Sequence, residues 1–147
     1  MSRVSIIIPT YNRARYITDA MESVKRQTYR PLEIVVIDDG STDNTKAVVE
    51  EWAKKQSTSN LNVQLLRQEN TGAPAARNHG LKVSNGKWIK FLDSDDILHL
   101  DCLTSQTSSL KELPKHSIVF GDDGYMNSRG QNKRPNRYSR PGKEEAS

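Results

Sequence analysis

Apolar residues fall into short β-branched runs that alternate with stripes at helical spacing. Val4–Ile8 and Glu33–Ile37 are nearly continuous apolar runs, which is typical of strands covered on both faces of a parallel sheet. Between them, one apolar helix face is formed by Ala14, Ile17, Met21 and Val24. These spacings of three and four residues predict a helix, so the chain opens as strand, helix, strand.

The same unit then repeats. After the second run, Gly40 permits a tight turn, and Ser41 or Thr42 can cap a following helix. The apolar stripe of that helix is Thr45, Val48, Val49 and Trp52. The next predicted elements are a strand Asn62–Leu66, a helix from Pro74 to about Val83 and, after the turn Asn85–Gly86, a strand Lys87–Leu92. Strands that alternate with helices predict an α/β fold with a mostly parallel sheet between two helical layers.

The last third of the chain is less regular. A helix is predicted from about Leu100 to Leu113, where Pro114 ends it, and a final strand over Ser117–Gly121. Beyond Tyr125 polar residues, glycine and proline dominate. We therefore expect one domain over residues 1–125 and a basic, disordered tail over residues 126–147.

Charge and composition exclude several classes of protein. The net charge of +4 comes entirely from the tail, which has six basic and two acidic residues, so the folded body has no basic excess to follow nucleic acid. Cys102 is the only cysteine, which excludes an intrachain disulfide. No apolar run approaches the roughly 20 residues of a membrane span. We expect a cytoplasmic protein, with the inner face of the membrane as an alternative location.

Three predicted strands end in polar turns, over residues 9–13, 38–41 and 93–96. Ligands of open α/β sheets bind beyond the carboxyl ends of the strands, so these turns are expected to form one crevice. The carboxylates expected at that edge are Asp38, Asp39, Asp93, Asp95 and Asp96. A stable fold would avoid their mutual repulsion unless a cation or hydrogen-bond donors compensated it. The expected partner is a divalent cation such as Mg²⁺ or Mn²⁺, which prefers oxygen ligands. The alternative is that these aspartates only cap helices and form turns.

Four ordered motifs resemble those of family 2 glycosyltransferases. They are Pro9-Thr10-Tyr11-Asn12-Arg13, residues 36–43 (VIDDGSTD), residues 72–80 (GAPAARNHG) and residues 91–96 (FLDSDD). The resemblance covers about residues 3–126 and implies a GT-A fold. It also implies inverting transfer of a sugar from a nucleotide diphosphate donor, with Mn²⁺ or Mg²⁺, in the synthesis of a polysaccharide, glycolipid or cell-envelope glycan.

The resemblance also implies roles for individual residues. The nucleotide-sugar site would comprise Pro9, Thr10, Tyr11, Asn12, Asp39, Arg77, Asp93 and Ser94. Thr10, Tyr11 and Asp39 would hold the uracil of a UDP donor, and Arg77 would close that pocket. Asp93 would face the ribose and Asp95 the metal. Without the surrounding motif, Arg77 on its alanine-rich helix would be interpreted as a solvated surface residue.

Other residues have structural interpretations. Trp52 and Trp88 are expected to pack in the core, His79 to form a structural hydrogen bond, and Cys102 to be an unreactive helix residue. Asp122 and Asp123 lie too early for the family's catalytic base and are interpreted as a turn after the last strand. The base and the acceptor half are therefore expected downstream, and the chain is expected to be a fragment.

Three other functions are alternatives to sugar transfer. An inactive module that only binds the nucleotide sugar is the main alternative. A nicotinamide oxidoreductase would need a Gly-x-Gly-x-x-Gly loop after the first strand, where this chain has residues 9–12, PTYN. A sugar nucleotidyltransferase would need a glycine-rich basic loop there, which Arg13 and Arg15 do not supply. The transferred sugar and the acceptor, a glycan or a lipid, are not determined by the sequence.

Overall fold

The computed structural model describes residues 1–115 and 117–119, and the backbone of residues 125–126 and 132–133. Four strands, β1 (Val4–Thr10), β2 (Leu32–Asp38), β3 (Leu61–Arg67) and β4 (Trp88–Phe91), form one parallel sheet in the order β3-β2-β1-β4. The helices are α1 (Ile17–Lys25), α2 (Thr45–Gln56), α3 (Ala73–Val83) and α4 (Cys102–Leu110). Tyr125–Met126 (β5) and Asn132–Lys133 (β6) pair antiparallel. The predicted α/β fold with a parallel sheet is confirmed.

Helices cover both faces of the sheet. Because successive strand residues point to opposite sides, each face forms its own core. Ile6 and Ile8 pack in one core with residues from α1, α2 and α4. Ile7, between them in β1, packs on the other face with Val35, Ile37 and Ala76 of α3. The result is the predicted three-layer arrangement, with β1 and β2 buried along their whole length.

Helix α3 lies very close to the sheet at Gly80. A Cβ atom added there would meet Ile7 Cγ2 at 2.4 Å, which is shorter than van der Waals contact. The absence of a side chain at Gly80 therefore allows α3 to pack directly on β1.

Among the helices in the described residues, none has the length and apolar composition needed to cross a bilayer.

The first helix begins later than predicted, at Ile17 and not at Ala14. The backbone N–H groups of Arg13 and Ala14 donate to Thr45 Oγ1 (3.0 Å) and Asp43 Oδ2 (3.4 Å), so this segment is held in a turn against the start of α2. The capping prediction for α2 was also wrong. The N-cap residue is Asn44, which makes no side-chain capping hydrogen bond, and Asp43 Oδ1 accepts from the backbone N–H of Thr45 at 2.9 Å.

The two tryptophans and Cys102 lie at positions that fit their predicted structural roles. Trp52 is buried and donates from Nε1 to Glu22 Oε1 at 2.7 Å. Trp88 is half-buried and packs against the same core, while Lys87 Nζ lies 5.1 Å from its ring centre. Cys102 is half-buried at the start of α4. Their predicted structural roles are consistent with these positions.

The elements after β4 differ from the prediction. Helix α4 is shorter than the predicted 100–113, and Leu100 and Leu113, at the ends of the predicted helix, are about half exposed and contribute little burial. Residues 117–119 of the predicted last strand are not in a strand, and Ile118 is 84% exposed, without a sheet neighbour to cover it. Asp122, Asp123 and nearly all of the predicted tail lie outside the described residues.

Candidate functional site

The three polar turns meet at one edge of the sheet, as the sequence predicted. Thr10 at the end of β1 is in register with Asp38 at the end of β2, and the Asp39 N–H donates to the Thr10 carbonyl at 2.9 Å. On the other side of β1, the Leu92 N–H donates to the Ile7 carbonyl at 3.0 Å. The turn after β1 therefore lies between the turns that follow β2 and β4.

The turn after β1 combines buried and exposed groups. Pro9 is buried in β1, and Thr10 is 3% exposed, with a hydroxyl that has no hydrogen-bond partner among the described residues. Tyr11 is 43% exposed, so its ring is accessible at the edge of the sheet. An accessible ring beside a buried, unpaired hydroxyl can take part in binding a flat polar ligand.

Asn12 joins this turn to the turn after β2. Its φ of 50° is in the left-handed region that asparagine tolerates. Asn12 Oδ1 accepts from the backbone N–H groups of Thr42 (2.8 Å) and Asp43 (3.2 Å), and its own N–H donates to Ser41 Oγ (2.9 Å). Its side chain thus holds two turns of the crevice together.

Asp39 is an almost completely buried carboxylate, 4% exposed, that organises the loop after β3. Its Oδ1 accepts from the N–H of Thr71 (2.9 Å) and from Gln68 Nε2 (2.8 Å), and its Oδ2 accepts from the N–H of Gly72 (2.9 Å). Burial alone would raise the pKa of Asp39, but these hydrogen bonds outweigh it and hold the pKa below its usual value. Asp39 is therefore ionised and fixed in orientation.

Asp38 is buried more deeply and faces a different set of partners. Its Oδ1 accepts from the Ser41 N–H at 2.9 Å, and its Oδ2 lies 3.6 Å from Arg67 Nη1. Arg67 also donates to the Ser41 carbonyl at 2.8 Å. Asp38 thus stabilises the turn after β2, and the turn-forming role that the sequence left open applies to this residue.

The turn after β4 presents two carboxylates and buries the serine between them. Asp93 and Asp95 are exposed, whereas Ser94 is 6% exposed. The Asp96 N–H donates to the Asp93 carbonyl at 3.0 Å, which closes a tight turn. Arg77 Nη2 on α3 donates to Asp93 Oδ1 at 3.0 Å. The structure therefore brings Arg77 and Asp93 together and leaves Asp95 accessible.

The five predicted carboxylates do not gather around one point. Within the described part of the chain, no group of three or more His, Cys, Asp or Glu side chains is arranged to hold a metal ion. Asp39 accepts from internal donors, and Asp93 is paired with Arg77. Asp38 accepts from the Ser41 N–H at Oδ1, whereas its buried Oδ2 has no hydrogen-bond partner among the described residues and lies 3.6 Å from Arg67 Nη1. Hydrogen-bond donors, which the sequence allowed as the alternative to a cation, compensate Asp39 and one carboxylate oxygen of Asp38. A metal at this edge would rest on Asp95 and on ligand phosphates.

Sequence reasoning missed Gln68, which follows β3 directly. The other turns were selected because each follows the carboxyl end of a strand. The same rule applies to the end of β3 and would have indicated Gln68. Gln68 Oε1 lies 3.0 Å from His79 Nδ1, and Gln68 Nε2 donates to Asp39. The predicted structural hydrogen bond of His79 is thus present.

Comparison with known proteins points to one enzyme family. The family model for glycosyl transferase family 2 matches residues 5–146. An uncharacterised glycosyltransferase of Rickettsia felis is 37% identical over 88% of this chain, which covers 21% of the relative. TuaG of Bacillus subtilis, whose name assigns it to teichuronic acid biosynthesis, is 37% identical over 83% of this chain and 46% of its own length. The chain spans about a fifth to a half of these relatives.

Solved structures show the same fold. Residues 1–349 of S. aureus TarS in complex with UDP-GlcNAc have a TM-score of 0.67 and 35% identity, covering 75% of this chain and 31% of that TarS chain. The Pyrobaculum calidifontis mannosyltransferase PcManGT, in complex with GDP-Man and Mn²⁺, has a TM-score of 0.61 and 33% identity, covering 65% of this chain and 28% of the mannosyltransferase. Together with the family match over residues 5–146, these likenesses show that the chain belongs to glycosyl transferase family 2.

Proposed function

We propose that this chain forms the donor-binding part of an inverting glycosyltransferase that uses a UDP-sugar and Mn²⁺ or Mg²⁺ to build a cell-envelope glycan. The observation that carries the proposal is the convergence of an accessible tyrosine, a fixed aspartate and the turn at residues 93–96 at one edge of the sheet. UDP-GlcNAc in TarS, GDP-Man with Mn²⁺ in PcManGT and the name of TuaG support it.

The uracil end of the donor lies, in this proposal, between the turns after β1 and β2. Tyr11 supplies an aromatic face, and Thr10 supplies a hydroxyl that has no other described partner. Asp39 is ionised, and an ionised carboxylate only accepts hydrogen bonds, which suits a base N–H. Its existing hydrogen bonds hold it in one orientation before the ligand arrives.

The ribose and diphosphate end lies along the turn after β4. Asp93 is held by Arg77 and has a second carboxylate oxygen for a ribose hydroxyl. Asp95 is exposed and is assigned to the metal. The residues fit a magnesium or manganese ion of this type, since such ions bind through one or two carboxylates together with substrate phosphates and waters. The ion would neutralise the leaving diphosphate.

Asp39→Ala is expected to weaken UDP binding more than pyrophosphate binding. Loss of one charge-assisted hydrogen bond costs about 1.5–3 kcal/mol, a change that pyrophosphate does not experience because it lacks the base. Calorimetry with both ligands in the presence of Mg²⁺ measures the difference. Asp19→Ala, an exposed aspartate on α1, is the matched control. Equal weakening of both ligands would place Asp39 at the metal end.

These 147 residues alone are expected to bind a UDP-sugar but not to glycosylate an acceptor. Inverting transfer needs a base within about 3 Å of the acceptor hydroxyl, which typically contributes 10²- to 10⁴-fold in rate. Asp38 and Asp39 are engaged internally and Asp93 and Asp95 are assigned to the donor, so none of these four carboxylates serves the acceptor.

The test incubates the chain with UDP-GlcNAc or another UDP-sugar, a divalent metal and a panel of acceptors. UDP release and glycosylated product are measured separately, because slow hydrolysis of the donor requires no acceptor. Product formed well above the hydrolysis rate would contradict the expectation and would direct attention to Asp122, Asp123 or a second subunit as the source of the base.

A further inference from the structure

Gln68 connects three parts of the proposed donor site through its side-chain amide. Its Nε2 donates to Asp39 Oδ1 at 2.8 Å and to Thr71 Oγ1 at 3.0 Å, and its Oε1 faces His79 Nδ1 at 3.0 Å. Its backbone N–H donates to the Asp38 carbonyl at 2.9 Å. One side chain therefore links the end of β2, the loop after β3 and helix α3.

The hydrogen bonds determine which atoms of Gln68 and His79 carry protons. The ionised Asp39 carboxylate can only accept, so the amide nitrogen of Gln68 must point to it and the amide oxygen must point to His79. Because that oxygen can only accept, His79 Nδ1 must carry the hydrogen. Whenever the imidazole is neutral, this hydrogen bond requires the Nδ1–H tautomer.

This chain of hydrogen bonds sets the position of Asp39 relative to Arg77. Asp39 holds the N–H groups of Thr71 and Gly72 immediately before α3 begins. His79 holds the same helix two residues after Arg77, whose guanidinium is paired with Asp93. Without the Gln68 amide, Asp39 would lose one of its three donors and His79 its described partner.

We propose that Gln68, oriented by His79, is a positioning residue for the nucleotide-base end of the donor site. It contributes to UDP affinity by holding the Asp39 carboxylate and the loop of residues 68–72 in one arrangement, without touching the UDP itself. The inference rests on the proposed function, because it assigns Asp39 to the base. Gln68 and His79 are thereby added to the proposed donor site. The sequence alone did not indicate Gln68, and it indicated only a structural role for His79.

The test measures UDP and pyrophosphate binding, each with Mg²⁺, for the wild-type chain and for Gln68→Met. Methionine preserves the length of the side chain but cannot donate to Asp39. We expect UDP affinity to fall about tenfold, the effect of one lost hydrogen bond to a charged group. Pyrophosphate affinity should stay unchanged. Gln56→Met, at the last position of α2, is the matched control and should bind both ligands like the wild type.

Variants at His79 test the relay separately. Asparagine can place an amide N–H near the position of Nδ1, so His79→Asn should retain most UDP affinity, whereas His79→Leu should lose it to the same extent as Gln68→Met. Nitrogen-15 NMR of the wild-type imidazole, at a pH where it is neutral, should show the Nδ1–H tautomer. Because this measurement uses the wild-type protein, it does not depend on whether a variant folds.

The outcomes separate the two proposals. If the wild-type chain does not bind UDP, the proposed function and this inference both fail. If the wild type binds UDP and Gln68→Met binds it equally well, or loses UDP and pyrophosphate affinity alike, only the positioning role is overturned. An Nε2–H tautomer of His79 would also overturn it.

Discussion

Replacing Glu33 by alanine is expected to destabilise the fold by about 3 kcal/mol, because several donors lose their acceptor in a buried setting. Glu33 lies in β2 and is 0% exposed. Ser5 Oγ (2.6 Å) and the Asn85 N–H (2.9 Å) donate to its Oε2, and Gln64 Nε2 (2.8 Å) and Asn85 Nδ2 (3.0 Å) donate to its Oε1. The carboxylate thus ties β1, β3 and the turn before β4 to β2.

The stability that Glu33 contributes depends on pH. Burial alone would raise the pKa of Glu33, but the hydrogen bonds from Asn85, Ser5 and Gln64 outweigh it and lower the pKa below its ordinary value of 4.5. A group whose pKa is lower in the folded state stabilises the fold fully above its unfolded pKa. That contribution is lost as the pH falls from about 4.5 through the folded pKa.

Urea unfolding of the wild type and of Glu33→Gln at a series of pH values measures this contribution. The difference in unfolding free energy between the two proteins should be largest near neutral pH and should shrink below about pH 4.5. Glu50→Gln, an exposed glutamate on α2, is the control and should match the wild type throughout. A difference that stays constant down to strongly acidic pH would refute the role of the charged form.

Removing the divalent metal is expected to weaken UDP binding on the order of a hundredfold, since a metal at a phosphate contributes several kcal/mol of charge stabilisation. Without it, the diphosphate would lie against the exposed carboxylates of Asp93 and Asp95. Arg77 compensates Asp93, but Asp95 forms no ion pair within residues 1–115. In the proposed function, a cation would bridge Asp95 and the diphosphate.

Calorimetry with Mn²⁺, with Mg²⁺ and with EDTA tests the metal dependence. Asp95→Ala should lose most of the metal-dependent part of the affinity while unfolding at the same temperature as the wild type, because Asp95 is exposed. Asp19→Ala should retain the full metal response. Equal UDP affinity in Mn²⁺ and in EDTA would remove Asp95 from its assigned role.

Much of the fold follows from local sequence patterns. The β-branched runs predicted β1 and β2, with ends within two residues of those observed. The apolar stripe from Thr45 to Trp52 predicted α2, which extends to Gln56, and Pro74 predicted the start of α3 within one residue. These patterns succeed because the period of a strand or a helix depends on near neighbours in the chain. One exception, the late start of α1, was decided by a contact between Arg13 and Thr45 across two turns.

What the sequence determined by itself is the order of the elements, the parallel sheet, the edge at which the polar turns meet and the family motifs. Only the tertiary structure decided which carboxylates are already satisfied. Asp39 meets Thr71, 32 residues away, and Glu33 meets Asn85, 52 residues away. No periodicity relates such positions, since their contact exists only after parallel strands align in register. The sequence therefore located the edge at which the polar turns meet, and packing decided which aspartates there are already hydrogen-bonded.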